Sequence, residues 1–322
     1  MIHALRAETR RLLSRRVTLV ALLALLGLIA LFQLQVNAQV TPPSATEIIQ
    51  SQQEYDEYLR DWEAHHEEWE AECVGSGGTP QECVMPRPQP SDWGLAPASF
   101  RDVVPGAVTF AVYLGGMALF VVMASFIGAE VTTGSLANWL TFVPHRATVL
   151  VSKLVVAAGA SVVIGALVGV VTVASSVAVT AFHGQPLTGL DQVVSMAARG
   201  VVVVAIFGVL GFCIGLLTGS TGATVGVLLG GIFLVFVRSV LVFSSTWAQR
   251  LSPWSPEVNL SAILGGGTTY AVSTSPGAAG DESAGNVVEK AVSLTHGLGY
   301  WAVLLAALVA VTWLVFRRRD VV

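Results

Sequence analysis

Residues 106–129, "GAVTFAVYLGGMALFVVMASFIGA", contain no charged side chain over 24 positions. The hydrocarbon core of a bilayer is about 30 Å thick, and a helix crosses it with about 20 apolar residues. An uninterrupted apolar run of this length is typical of a membrane span. The number of such runs in the chain therefore predicts the number of its membrane spans.

The composition of the whole chain agrees with a membrane class. Of its 322 residues, 53% are hydrophobic and only 12% are charged. Soluble domains carry roughly 25% charged residues. The shortage of charge predicts an integral membrane protein rather than a soluble one.

Five further runs are long and apolar enough to cross a bilayer. The third span in chain order is too long for one upright helix, and too short for two spans and a turn, so it is predicted as one tilted helix. The sequence thus predicts an all-α membrane protein with six transmembrane helices. Besides 106–129, the predicted spans are 17–36, 148–181, 200–217, 222–243 and 299–316.

The basic residues predict the orientation of these spans. Arginines cluster before the first span and after the last, and Arg146 and Lys153 lie between the second and third. Positively charged loops stay in the cytoplasm. We therefore expect both termini and segment 130–147 in the cytoplasm, and segments 37–105 and 244–298 outside. Rare lysine with abundant alanine, valine and glycine favours a bacterial plasma (inner) membrane.

The N-terminal segment 1–16 places Ile2, Leu5, Thr9 and Leu12 along one helical stripe with arginines around it. This pattern is typical of an amphipathic helix lying in the cytoplasmic membrane interface. The alternative is a basic topology signal that happens to be helical.

The outer segment 37–105 is acidic and contains a helical stripe of larger side chains from Tyr55 to Cys73. Such a stripe must pack on something: segment 84–104, another outer loop or a second copy of the chain. Cys73 and Cys83 flank a turn-rich link, and outside a bacterial membrane they are predicted to form a disulfide. His65 and His66 are adjacent, so they point to different helix faces and make a poor metal site.

No sequence pattern predicts catalysis. The chain has no phosphate-binding motif with lysine and no nucleophile constellation. We expect no catalytic, cofactor or metal residues, no enzyme activity and no nucleic-acid partner. None of the six predicted spans contains an acidic residue. This argues against an ion-coupled carrier, because such carriers use intramembrane carboxylates.

Small residues recur at helical spacing in the later spans, including a ladder of Gly222, Gly226 and Gly230. They allow close packing, either within one bundle or against a second bundle. After the fifth span, Ser255 and Pro256 begin a predicted short helix that stops at Gly265, and the residues after it resemble a flexible loop. Arg238, near the outer end of the fifth span, is long enough to reach water or a substrate.

The connection between the second and third spans, "IGAEVTTGSLANWLTFVPHRATVLVSKLVV" at 127–156, resembles the corresponding segment of ABC transporter permeases of the type-2 exporter family. The matching positions are Gly128, Glu130, Gly134, Leu136, Leu140, Arg146, Lys153 and Leu154. The basic N-terminus, six spans and short Ser-Pro helix after the fifth span fit the same plan. The large acidic outer segment departs from many members.

This resemblance implies a permease subunit that pairs with a second, identical or different permease. Two separate ATPase (nucleotide-binding) subunits would bind ATP and magnesium, and the permease itself would bind neither. Segment 130–147 would couple the permease to the ATPase, through Glu130, Gly134, Leu136, His145 and Arg146. The alternative is a non-transport membrane scaffold or sensor whose acidic outer loop is the working part.

Overall fold

The computed structural model describes residues 2–76, 83–135, 146–273 and 287–318. The predicted residues Leu136 and His145 lie outside these ranges. The helices, numbered in chain order, are α1 (Ile2–Leu13), α2 (Arg16–Val40), α3 (Ala45–Gly75), α4 (Phe100–Thr132), α5 (Arg146–Phe182), α6 (Leu190–Thr218), α7 (Thr221–Ser244), α8 (Thr246–Arg250), α9 (Pro256–Gly265) and α10 (Leu294–Arg318). Two strands, β1 (Gly267–Ser273) and β2 (Val287–Ser293), and two short 3-10 helices, Pro90–Trp93 and Ser252–Trp254, complete the secondary structure that is described.

Six of the described helices are long and apolar enough to span a bilayer, which confirms the predicted all-α membrane fold. They are α2, α4, α5, α6, α7 and α10, with mean hydropathies of 2.2 to 2.8 over their most apolar windows. The long third run forms the single helix α5. We call the end of the bundle where α1 lies the α1 end, and the opposite end, next to the β strands, the hairpin end.

The centre of the bundle is the pair α4 and α6, in which 61% and 56% of the spanning windows are buried. Glycines on α6 let the two backbones approach closely. A Cβ added at Gly211 would lie 2.2 Å from the carbonyl oxygen of Phe120, and one at Gly215 would lie 3.0 Å from the Cα of Ala124. These small residues therefore pack within one chain.

Three of the other four spans, α2, α7 and α10, lie at the periphery of the bundle. Only 22% of the window of α2, 11% of that of α10 and none of that of α7 is buried. Their outward faces present leucine, valine and phenylalanine side chains. Lipid solvates such faces, whereas they would be unstable in water.

Residues 37–40 of the predicted outer segment belong to α2 and residues 100–105 to α4, and the described residues between these helices form an arm built on α3. Ser44 and Glu47 form a capping box at its start, and the hydrogen bonds from Ser44 hold the pKa of Glu47 below its usual value. The segment that follows Cys83 returns along the helix, so that the ring of Trp93 lies 6.5 Å from that of Tyr55. The stripe on α3 thus packs on segment 84–104, the first of the predicted alternatives.

The predicted disulfide closes this arm. Cys73 and Cys83 are bonded, with 5.7 Å between their Cα atoms. Arg87 adds an ion pair of 3.1 Å to Glu63, and the amide of Met85 donates to Glu70. No residue of α3 is buried, so the arm is held by its own return segment rather than by the bundle.

The hairpin end has more structure than the loop expected after the fifth span. Helix α9 forms where Ser255 and Pro256 predicted it, and it ends before Gly266, whose φ is +84°. The following residues are not simply a flexible loop, because β1 and β2 pair as an antiparallel ladder from Gly267↔Ser293 to Ser273↔Val287. Val272 and Val292 of this hairpin are buried, which explains the ordering of so short a pair.

Candidate coupling site

The predicted connection begins at the C-terminus of α4. Glu130 lies in the last turn of this helix and is only 5% exposed. The helix stops at Thr133, and Gly134 adopts φ +68°, the left-handed conformation that commonly ends helices. Gly134 therefore forms a turn four residues after the buried carboxylate of Glu130.

Lys153, in the second turn of α5, is the cation that faces Glu130. Its Nζ lies 2.6 Å from Glu130 Oε2 and 2.8 Å from Glu8 Oε2. Lys153 donates a hydrogen bond to Glu8. Its contact with Glu130 is a close ion pair that does not have hydrogen-bond geometry. Lys153 is 1% exposed. Charged side chains are almost never this buried unless they are paired.

Glu8 brings the N-terminal helix into the same cluster. It is 1% exposed, and its Oε1 lies 3.7 Å from Arg11 Nη1. With Leu12, it forms the face of α1 that packs on the bundle, while Thr9 of the predicted stripe is exposed. We call Glu8, Arg11, Glu130 and Lys153 the ion cluster. Its two carboxylates and two cations balance in charge.

The ring of Phe126, one turn before Glu130, extends the ion cluster. Lys153 Nζ lies 5.3 Å and Arg15 Cζ 5.4 Å from the ring centroid. Both distances fall within the range of a cation–π contact. Arg15 also donates a hydrogen bond of 2.7 Å to the carbonyl oxygen of Ser125. The last two turns of α4 are thus bound both to α5 and to the N-terminal segment.

Residues 6–321 match the sequence model of a protein family described as ABC-2 family transporter protein. The chain belongs to the ABC-2 transporter family. Comparison with curated proteins and with solved structures gave no match. Together with the six spans, the family makes the chain the membrane-embedded permease component of a transporter and confirms the resemblance found in the sequence.

The ion cluster of this ABC-2 transporter is a network of paired charges. Its charged groups are paired with one another, and in the described ranges no three His, Cys, Asp or Glu side chains form a metal-binding group. Withdrawing Lys153 would leave Glu8 and Glu130 buried without their shared cation, which is strongly unfavourable. The cluster therefore binds α1, the end of α4 and the start of α5 to one another.

The structure describes only part of the predicted coupling set in this ABC-2 transporter. Glu130 and Gly134 lie where the connection begins. Arg146 is the first residue of α5, and its side chain is outside the description. The roles of these residues remain predictions.

Sequence reasoning missed Glu8 and took Lys153 for a surface residue. A signal for Glu8 was present, because it is the only acidic residue before Glu47 and it lies among arginines. A single carboxylate in a basic amphipathic helix is worth testing as the buried partner of a distant cation. Nothing in the local sequence identified that cation as Lys153.

Proposed function

We propose that the chain is the transmembrane permease subunit of an ATP-driven ABC exporter. It forms the translocation path, while a separate ATPase subunit binds ATP and magnesium and hydrolyses the nucleotide. The observation that supports this most strongly is the ion cluster, because it binds both ends of segment 130–147 to the bundle. A force applied to that segment would reach the spans through Glu130 and Lys153.

In this proposal the α1 end faces the cytoplasm of a bacterial cell, and both termini lie there. Exposed arginines at this end, including Arg6, Arg10, Arg317 and Arg318, agree with the distribution of positive charge across membranes. The acidic arm with its disulfide belongs to the other end, where oxidising conditions preserve such bonds. Charge and redox chemistry thus support the same orientation.

The proposed coupling runs through residues 130–147. An ATPase subunit that holds this segment changes shape when it binds and hydrolyses ATP. Glu130 lies in the last turn of α4, and Lys153 lies near the start of α5. Displacement of the segment would therefore tilt both spans together. Glu8 would carry the same displacement to α1, the element closest to the membrane surface.

A second permease copy would pack against α7. This span is unburied along its window, and Cβ atoms added at Gly226, Gly230 and Gly231 would meet nothing within 4 Å. The glycines of α6, in contrast, already pack on α4. Small residues exposed along a span are typical of helix association in membranes. We propose that these glycines of α7 contact the second copy.

The arm supports a second candidate function, that of a membrane scaffold or sensor. Helix α3 has 31 residues, or about 46 Å of helix at 1.5 Å per residue, and none of them is buried. Deleting residues 45–100 separates the two candidates. An exporter keeps its response to the ATPase after this deletion, whereas a scaffold loses its activity.

The exporter proposal is tested by purifying the tagged chain from native membranes and identifying the proteins that accompany it. We expect an ATPase subunit whose hydrolysis rate differs between the complex and the isolated subunit. Glu130→Gln should keep the subunit bound but abolish this difference, whereas Glu54→Gln on exposed α3 should not. Absence of any nucleotide-binding protein from the purified material would refute the proposal.

A further inference from the structure

Helix α7 is fixed firmly to the bundle at the α1 end. Its first residue, Thr221, packs so closely on α4 that a Cβ added at Gly128 would lie 2.9 Å from the Thr221 hydroxyl oxygen. Thr224 is fully buried, and its hydroxyl lies 2.8 Å from that of Thr218 on α6. The start of this span is therefore bound to both central helices.

The middle of α7 is poorly supported by the described residues. Leu229, Phe233, Leu234 and Phe236 are all at least 60% exposed. No described residue covers these side chains, so packing among the described residues does not fix the angle of the helix. Within one chain, that angle depends on what holds α7 at its other end.

At the hairpin end, Arg238 links α7 to the residues that follow the fifth span. Its Nη1 forms an ion pair with Glu257, in the first turn of α9, and its Nη2 donates a hydrogen bond of 2.8 Å to the hydroxyl of Ser252. Six residues separate Arg238 from the end of α7, about 9 Å of helix. This is close enough to the end of the span for the guanidinium to reach water as well as Glu257.

Helix α9, in turn, is fixed to the rest of the bundle. Asn259 and Ile263 are fully buried. Arg199 of α6 donates a hydrogen bond of 3.0 Å to the carbonyl oxygen of Leu264, at the other end of α9. The charged pair therefore connects a weakly packed span to a firmly packed helix.

The degree of burial distinguishes this pair from the ion cluster at the α1 end. The side chains of Arg238 and Glu257 are 25% and 24% exposed, whereas Lys153 and Glu8 are each 1% exposed. Separating a partly exposed ion pair, so that water solvates each charge, requires far less free energy than separating a buried pair. The pair at the hairpin end can therefore open while the ion cluster stays intact.

We infer that Arg238 and Glu257 form a releasable latch at the hairpin end, and that α7 pivots about its contact with Gly128 when the latch opens. This inference rests on the proposed function, in which the chain forms the translocation path. Arg238 is a positioning residue in this account: closing the latch holds α7 against α9, and opening it lets the path widen at that end.

The test measures distances by pulsed electron paramagnetic resonance on the full chain in lipid nanodiscs, diluted with unlabelled chain. One pair of spin labels, at Ser239→Cys and Leu298→Cys, reports the hairpin end of α7 against α10. A second pair, at Thr132→Cys and Ala223→Cys, reports the pivot. All four positions are exposed. The native cysteines do not interfere, because Cys73 and Cys83 are bonded and Cys213 is buried.

Arg238→Gln should lengthen and broaden the distances of the first pair and leave those of the pivot pair unchanged. Lys290→Gln, the matched control, removes another cation at the hairpin end that is exposed on β2, and it should change neither pair. Exchanging the charges by Arg238→Glu with Glu257→Arg should restore the native distances. The latch is refuted if Arg238→Gln has no effect, if it alters both pairs alike, if Lys290→Gln acts in the same way, or if the charge exchange restores nothing. Since no ATPase subunit is needed, this result is independent of whether one co-purifies.

Discussion

Glu8 accepts a hydrogen bond of 2.8 Å from Lys153 across 145 residues of sequence, and both side chains are buried. The contact brings the N-terminal helix to the start of the third span. Glu130, 2.6 Å from the same Nζ, adds the end of the second span. The coupling proposed above depends on this one lysine, and the first two predictions address it.

Lys153→Met should destabilise the protein strongly, because it leaves Glu8 and Glu130 buried without their shared cation. Removing one partner of a buried ion pair costs about 3–5 kcal/mol. We expect a clear fall in the midpoint of thermal unfolding, followed by the loss of monodisperse protein in detergent. Lys290→Met, on the exposed surface of β2, is the matched control and should leave the midpoint unchanged. Equal midpoints for the two variants would contradict the buried cluster.

The double variant Glu8→Gln with Lys153→Met should be less destabilised than the sum of the two single variants. Each single change leaves the other charge of the pair buried without this partner, which is unfavourable. The second change removes that charge and so removes part of the lost stability. Residues in one ion network typically couple by about 0.5–3 kcal/mol. The same thermal measurement gives the coupling energy, and strict additivity would show that the two side chains do not interact.

Alanine should lower the stability of the protein at Gly211 of α6 but not at Gly226 of α7. Gly211→Ala places a methyl group 2.2 Å from the Phe120 carbonyl oxygen, so the central helices must separate. Overpacking of this kind costs about 1–3 kcal/mol or more. Gly226→Ala meets open space and should keep the fold. Expression and the thermal midpoint check both, and equal tolerance at the two sites would contradict the packing of α6 on α4.

Gly226→Leu extends this comparison to the proposed second copy. The larger side chain has room within the chain, but it would occupy the surface that a second copy would contact. We expect normal unfolding and a lower dimer fraction in chemical cross-linking of membranes. An unchanged dimer fraction would remove α7 from the proposed contact.

Cys73→Ser should loosen the arm without affecting the spans. Closing a loop of this length stabilises a structure by about 3 kcal/mol, and no residue of α3 packs into the bundle. Limited proteolysis should therefore cut the variant between residues 70 and 90, while the unfolding midpoint of the bundle stays the same. A fall in that midpoint would mean that the arm supports the spans.

Features governed by local composition were predictable from the sequence. The spans follow from apolar length, the single helix α5 from its residue count, and the pairing of Cys73 with Cys83 from a short link between them. The packing of α3 on its return segment was one of three open alternatives. Sequence periodicity shows that a stripe needs a partner, but it does not identify the partner.

Features governed by contacts between distant segments were not predictable. Glu8 and Lys153, like Arg238 and Glu257, belong to different helices, and only the folded bundle brings each pair together. The β hairpin was missed because its strands are short and lie on either side of a stretch rich in glycine and serine. The buried positions Val272 and Val292 show that the alternation of a strand was present, but weak.

The central claim is that the connection after Glu130 is held by a separate ATPase subunit. The most direct measurement places a photo-activated cross-linking amino acid at Ser135, in the native membrane, with the matched position Ser239 at the hairpin end as control. The account predicts a cross-link from Ser135 to a nucleotide-binding polypeptide and none from Ser239. A cross-link from Ser239 to that polypeptide, or none from Ser135, would contradict it.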